Sequence, residues 1–285
     1  MKVLVTGVKG QLGYDVVKRL TSLNIEAKGV DIDDFDLTDE NAVMEGISSY
    51  SPDAIIHCAA YTAVDRAEDD KELCYKVNVL GTRNVALAAK KLNAKMLYIS
   101  TDYVFEGTGT EYYKPEDEKA PVSEYGRTKS LGEDEVTSLL EKLFIVRISW
   151  VFGVNGNNFV KTMLRLGKER SELNVVSDQI GSPTYTVDLA VLLADMIQSE
   201  KYGIYHATNE GICSWADFAK AIMEKGNRST VINPITSDQY PTKAKRPLNS
   251  RMDKSKLEAN GFNRLPDWEN ALTRYIEELK ANDML

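Results

Sequence analysis

The chain has 285 residues, of which 43% are hydrophobic and 27% charged, enough for one large or two modest globular domains with proper cores. A formal charge of -8 repels phosphate backbones and anionic membrane surfaces, which argues against a nucleic-acid or membrane partner. Three scattered cysteines (Cys58, Cys74, Cys213) and two histidines (His57, His206) make neither a disulfide framework nor a metal-ligand cluster, so no metal is expected. The opening apolar run is too short for a signal peptide, and no stretch approaches the ~18 apolar residues of a membrane span. A reducing, cytoplasmic setting is expected.

Lys2 to Thr6 is a short apolar, β-branched run that reads as a buried strand. Glycines follow at Gly7, Gly10 and Gly13, and a helix from about Gln11 to Leu23 carries Leu12, Val16, Val17 and Leu20 on one face. Strand, glycine loop and helix in succession suit a dinucleotide. Glycines let the backbone approach a pyrophosphate, and the helix N-terminus offers free amides and the positive end of its dipole. The spacing is three-and-three, not the two-and-three of the standard fingerprint, and a tight turn without a ligand is the competing reading.

A second strand, Glu26 to Val30, ends at Asp31, 18 residues past Gly13. An acid there suits the adenosine ribose hydroxyls and disfavours the extra phosphate of NADP. Asp33, Asp34 and Asp36 crowd the same loop, so a solvated acid is the alternative. Thr38 or Asp39 caps the next helix. Ala54-Ile55-Ile56 is a buried strand that runs into Ala59-Ala60-Tyr61, small enough to admit a flat ligand. Ala63 to Asn93 carries one long helical pattern with Asn78 inside it, either a site residue or a buried amide satisfied locally. The strand Lys95 to Ser100 ends at Ser100-Thr101-Asp102-Tyr103, at the carboxyl end where open α/β sheets bind ligands. A Pro-bearing loop from Gly107 to Val122 then leads into a helix from Ser123 to Leu140. Tyr125 and Lys129 lie one turn apart on it, on one face. A cation beside a phenol favours the phenolate, so Lys129 is expected to lower the Tyr125 pKa and ready it as a proton donor to a carbonyl. On spacing alone the pair also fits a plain surface contact. Phe144-Ile145-Val146 is a further strand, and the alternation predicts a doubly wound, Rossmann-type parallel sheet.

Beyond Trp150 the alternation breaks down, and a smaller α/β domain is expected over 151–285. Asn155 to Asn158 reads as a turn-rich link, Phe159 to Glu169 as an amphipathic helix, and Val175 to Thr184 as a short strand plus loop. Val187 to Ser199 reads as an apolar helix, with roughly 181–204 packing back on a dinucleotide-binding domain at 1–150. Ile204 to Ala207 is a strand. Ser214 caps a helix whose stripe of Trp215, Phe218, Ala219 and Ile222 reads as core. Lys243, Lys245, Arg246 and Arg251 form a basic, Pro-bearing segment that either neutralises substrate phosphates or is a solvated loop. Asp267 to Lys280 is expected to be a surface helix.

Thr6-Gly7-x-x-Gly10-x-x-Gly13, Ser100-Thr101 and Tyr125-x-x-x-Lys129, in this order, resemble the extended short-chain dehydrogenase/reductase family. Ala59-Ala60-Tyr61-Thr62-Ala63-Val64-Asp65, Ser100 to Phe105, Arg147 to Gly153, Asp178 to Thr184 and Arg246-Pro247-x-Asn249-Ser250 are similar to the branch that reduces dTDP-4-dehydrorhamnose, over nearly the whole chain. His57-Cys58 stands where that branch has Asn-Ala. The resemblance implies hydride transfer from NADPH or NADH to C4 of a dTDP-sugar, toward cell-surface polysaccharide. It implies Thr101, Tyr125 and Lys129 as catalytic residues. It implies a cofactor held by Gly7, Gly10, Gln11, Leu12, Gly13, Asp31, Asp36, Leu37, Ala59, Ala60, Tyr61 and Asn78 with Tyr125 and Lys129, and a sugar faced by Thr62, Val64, Asp102, Tyr103 and Trp150. A dehydratase of the family carries Asp-Glu after the active-site Thr, whereas Asp102 is followed by Tyr103. An epimerase or another reductase, or a regulatory subunit that binds a nucleotide without chemistry, stays open as an alternative, and so does a homodimer.

Overall fold

Strands buried on both faces have to be apolar throughout, and helices have to cover both sides. The computed structural model, which describes residues 1–285, meets this with β1 (Lys2–Thr6), α1 (Gln11–Ser22), β2 (Glu26–Val30), α2 (Glu40–Tyr50), β3 (Ala54–His57), α3 (Val64–Ala67), α4 (Lys71–Tyr75), α5 (Thr82–Leu92), β4 (Lys95–Thr101), α6 (Glu124–Leu139) and β5 (Leu143–Ile148). The second half adds β6 (Val151–Phe152), α7 (Phe159–Glu169), β7 (Glu172–Val176), β8 (Ile180–Gly181), β9 (Thr184–Tyr185), α8 (Thr186–Ile197), β10 (Gly203–His206), β11 (Cys213–Ser214), α9 (Trp215–Lys225), β12 (Val231–Ile235), α10 (Ser255–Ala259) and α11 (Trp268–Ala281).

The main sheet is six-stranded and parallel, in the order β2-β1-β3-β4-β5-β10. The first half supplies five strands, and the sixth returns from residue 203. Alternate residues of each strand enter opposite cores. Val5, Ile56, Leu97 and Val146 pack with Val16 of α1 and Leu189 and Leu193 of α8. Leu4, Ile55, Met96 and Ile145 pack with Ile47 of α2, Val85 of α5 and Val136 of α6. β2 lies on one side of β1 and every later strand on the other. Such a reversal opens a crevice at the carboxyl ends of the strands.

The long helical pattern at 63–93 is broken. α3 and α4 are short, and a π-helical turn, Lys76–Gly81, precedes α5. Insertions of this kind occur often at functional sites. β12 falls in a stretch for which no element was expected, and it contains Pro234. It pairs with β7 alone, in a two-stranded sheet where a missing donor costs little. α11 is no mere surface helix, because Trp268, Leu272, Tyr275, Ile276 and Leu279 enter a third core with Phe152, Val160 and Phe218.

A buried ion pair ties α6 to β5. Arg147 donates from Nε to Glu133 Oε1 (2.9 Å) and from Nη2 to Oε2 (2.8 Å), and its Nη1 donates to the Pro115 carbonyl (3.0 Å). Both side chains are 2% exposed. Removing one partner strands the other charge in the interior. Arg147→Met is therefore expected to lower the unfolding free energy by about 3–5 kcal/mol in urea titrations, and Glu133→Leu added to it should restore part of the loss.

Candidate active site

The ends of β1, β3, β4 and β5 open into one cleft of about 670 Å³, lined among others by Gly7, Ala59, Thr101 and Ser149. A side pocket of about 190 Å³ continues from it between Asp31, Asp36, Leu37, Ala59 and Ala60. The glycines of the loop do different work. Gly7 has φ +72°, and a Cβ there would lie 2.7 Å from the Ala59 nitrogen. A Cβ at Gly13 would lie 2.3 Å from the Gly7 carbonyl oxygen. Gly10 meets nothing but that oxygen, at 3.1 Å, so the loop stays bare toward the cleft. Gly10 also caps α1 without a side-chain bond, and no acid stands in the first turn. The positive end of the helix is thus free for an anion. Lys9 and Lys129 are the only cations in the cleft wall, so backbone amides must do most of the holding of a diphosphate. These features fit a dinucleotide. Asp31 accepts from the backbone N–H of Lys9 and of Ile32, each at 2.9 Å, while the Lys9 ammonium pairs with Asp33.

Tyr125 comes to the cleft because α6 starts where it does. The Ser123 side chain accepts from the Gly126 N–H (3.2 Å), and Glu68 accepts from the Glu124 N–H (2.8 Å). The Tyr125 ring stands edge-on to Tyr103, 5.4 Å between centroids. At the end of β4, Thr101 Oγ1 donates to Asp102 Oδ1 (2.9 Å), and Ser250 donates to Asp102 Oδ2 (2.5 Å). Burial pushes the Asp102 carboxyl up to about 6, against the bonds from Ser250 and Thr101. Burial also pushes the Tyr125 phenol well above the ordinary tyrosine range, opposed by a hydrogen bond with Thr101.

That last direction corrects an expectation. Lys129 was to lower the Tyr125 pKa, but its ammonium donates to the Ile99 carbonyl (2.8 Å) and lies 4.0 Å over the Tyr98 ring. Burial brings Lys129 itself down to about 7, so it carries only part of a charge near neutrality. Tyr125 is kept protonated by its surroundings.

Of the other expected residues, Gly7, Gly10, Gln11, Leu12, Gly13, Asp31, Ala59 and Ala60 line the cleft, as do Thr62, Val64, Asp102, Tyr103 and Trp150. Asp36 and Leu37 line the side pocket. Tyr61 and Asn78 line neither. Asn78 is buried and accepts from the Tyr61 N–H (2.8 Å) while donating to the Tyr61 carbonyl (3.1 Å) and Thr128 Oγ1 (3.1 Å). It fastens the segment after β3 to α6, which is what turns it inward at the π-helical turn. His57 is likewise structural, bonded to Thr6 (2.7 Å) and Thr82 (3.2 Å) and held down to about 3 by burial. Cys58 lines the cleft as an inert thiol, pushed up to about 12 by burial.

Sequence reasoning missed three features. Trp215, read as core, lines the cleft and stacks on Trp150 at 3.8 Å and 16°. The signal was the capping box of Ser214 and Asp217, which puts Trp215 at the first position of α9, outside the buried stripe. Trp150 itself has φ +51°, a left-handed backbone that a bulky residue adopts only under constraint. The link at 153–158 also reaches the cleft, through Gly156, Asn157 and Asn158. The basic segment, finally, is not a free loop. Arg246 Nη2 pairs with Asp65 (2.6 Å), and Lys243 pairs with Asp69, so the segment straps the second half to the α3–α4 region.

The family model described as the RmlD substrate binding domain matches residues 1–281. A dTDP-4-dehydrorhamnose reductase of Aggregatibacter actinomycetemcomitans is 43% identical over 284 residues, covering 95% of this chain and 97% of the relative. The spore coat polysaccharide biosynthesis protein SpsK of Bacillus subtilis strain 168 is 40% identical, with 97% of each chain covered. Among solved structures, the dTDP-4-dehydrorhamnose reductase of Bacillus anthracis strain Ames in complex with NADP superposes with a TM-score of 0.95 at 44% identity, covering 97% of this chain and 99% of that one.

The buried carboxyl gives a stability test. Asp102 rises from 3.8 to about 6 on folding, so between those values the folded protein holds the extra proton. Its contribution is complete below about pH 4 and is lost as pH rises through about 6. Measured by denaturation from pH 4 to 7, the stability of the wild type relative to Asp102→Asn should fall by roughly 3 kcal/mol. A flat difference would contradict the burial of this carboxyl.

Proposed function

The chain belongs to the RmlD family of dTDP-4-dehydrorhamnose reductases, and on that premise we propose that it reduces the C4 ketone of dTDP-4-dehydro-L-rhamnose to give dTDP-L-rhamnose. It is an NAD(P)H-dependent oxidoreductase with a Rossmann-type fold. A place in polysaccharide biosynthesis is in keeping with the name of the Bacillus subtilis relative. No helix is long and apolar enough to cross a membrane, and we assign the reaction to the cytoplasm.

The observation that carries the reading is one cleft in which the bare glycine loop, Thr101, Tyr125 and Lys129 all take part. When bound, the reduced nicotinamide supplies the hydride that C4 accepts. The protein's task is then the proton and the developing charge. Tyr125, protonated throughout the physiological range, would donate its phenolic proton to the C4 oxygen as that oxygen gains alkoxide character. Thr101 would turn its hydroxyl proton from Asp102, to which it donates in the free site, toward the same oxygen. Lys129, buried beside the end of β4, would hold the nicotinamide ribose, with the glycine loop taking the diphosphate and Asp31 the adenosine ribose. Asp36, Leu37, Ala59 and Ala60 would enclose the adenosine end, and Tyr61 and Asn78 would shape the site from behind it. Thr62, Val64, Asp102, Tyr103 and Trp150 would face the sugar. We divide the labour accordingly. Residues 1–150, with roughly 181–204 packed on them, bind the dinucleotide, and 151–285 form a smaller substrate-binding domain. The separate core around Phe152, Val160 and Phe218 supports that division.

Purified protein given dTDP-4-dehydro-L-rhamnose should consume NADPH or NADH, followed by absorbance, and no oxidation of either would sink the reductase reading. Tyr125→Phe should lower kcat by about 10²–10⁴ while cofactor affinity holds. A variant at full rate would remove the proton donor from Tyr125.

A further inference from the structure

The link at 153–158 belongs to the second half, yet its bonds go to the glycine loop of the first. Asn155 Nδ2 donates to two successive carbonyls there, Lys9 (2.8 Å) and Gly10 (3.2 Å). One turn of chain later, Asn158 Nδ2 donates to Gln11 Oε1 (2.9 Å), while its Oδ1 caps α7 by accepting from the Lys161 N–H (3.0 Å). Lys161 Nζ holds the link from its own side, donating to the carbonyls of Val154 (2.5 Å) and Gly156 (2.8 Å). Gly156 and Asn157 are exposed at the mouth of the cleft.

A peptide next to glycine turns over at little steric cost, and turning it exchanges a carbonyl for an N–H on the side facing a ligand. The carbonyls of Lys9 and Gly10 belong to the two peptides flanking Gly10, the residue that leaves the loop bare toward the cleft. Asn155 spends both of its amide protons on those carbonyls and so opposes that turn.

We infer that residues 153–158 form a clasp on the dinucleotide site, with Asn155 as the positioning residue that keeps the glycine loop in its diphosphate-binding shape and thereby sets how long the cofactor stays. This deepens the reading of the glycine loop as a dinucleotide site and rests on it. The clasp carries no chemistry. Its loss speeds cofactor departure and leaves proton donation to Tyr125 intact.

The full-length protein tests this directly. Trp150 and Trp215 line the cleft, so energy transfer to bound NADPH reports its release in a stopped-flow displacement. Asn155→Ala should release NADPH about tenfold faster, the effect of losing a net ~1.4 kcal/mol of hydrogen bonding. The KM for NADPH should rise while kcat at saturating cofactor holds, and the melting temperature without cofactor should fall by no more than a few degrees. Lys161→Met, which loosens the link without touching the glycine loop, should act in the same direction, and it decides the matter if Asn155→Ala does not fold. Glu277→Gln, on an exposed position of α11, is the control. Release from both variants within about twofold of wild type would overturn the clasp, since a net hydrogen bond is worth more than that. A wild type that binds neither NADPH nor NADH would overturn the dinucleotide reading itself, and the clasp with it.

Discussion

Helix α6 lies closer to β4 than a side chain at 126 or 132 would permit. A Cβ at Gly126 would sit 2.2 Å from the Tyr103 carbonyl oxygen, and one at Gly132 would sit 2.4 Å from the Tyr98 hydroxyl. Contacts that short force a shift, and here the backbone would have to move. Because the helix seats so deeply, the Lys129 ammonium reaches the Ile99 carbonyl and the Tyr125 ring reaches Tyr103 at the end of the strand. The Glu133–Arg147 pair fixes the same helix to β5. The position of Tyr125 is therefore a packing result before it is an electrostatic one.

Seating the helix deeply also sets the charges. Burial brings Lys129 down to about 7 and Asp102 up to about 6, and it pushes Tyr125 upward. Each shift favours the neutral form. The interior of the cleft therefore carries less charge than its residue types would give in water. Outside the cleft, Arg246 and Lys243 of the basic segment are already engaged. Asp65 and Asp69 neutralise Arg246 and Lys243, so the strap spends its charge on holding the two halves together.

The first-half strands were legible because burial on both faces leaves an apolar run that little else produces. The glycine loop, Thr101 and the Tyr125–Lys129 pair were legible as motifs in strand–loop–helix context. What escaped depended on contacts between segments far apart in the chain. Nothing local distinguishes an Asn78 that fastens Tyr61 to α6 from one that touches a ligand. The Trp215 stripe reads as core by its period, and only the partner Trp150, held in a left-handed turn, brings that indole into the cleft. The direction of the Tyr125 shift was misread because spacing along a helix gives neighbours but not depth, and depth decided the outcome. The acids that occupy the basic segment lie nearly 180 residues earlier in the chain.

The sixth strand, β10, carries a consequence for biosynthesis of the molecule. It pairs with β5 through Gly203–His206, and α8 closes one face of the sheet. Until the ribosome has released both, the nascent first half presents an open edge at β5 and an uncovered apolar face. Such surfaces invite pairing with other chains. The early strands must therefore wait, or be shielded, through the synthesis of some fifty further residues before the sheet they began can close.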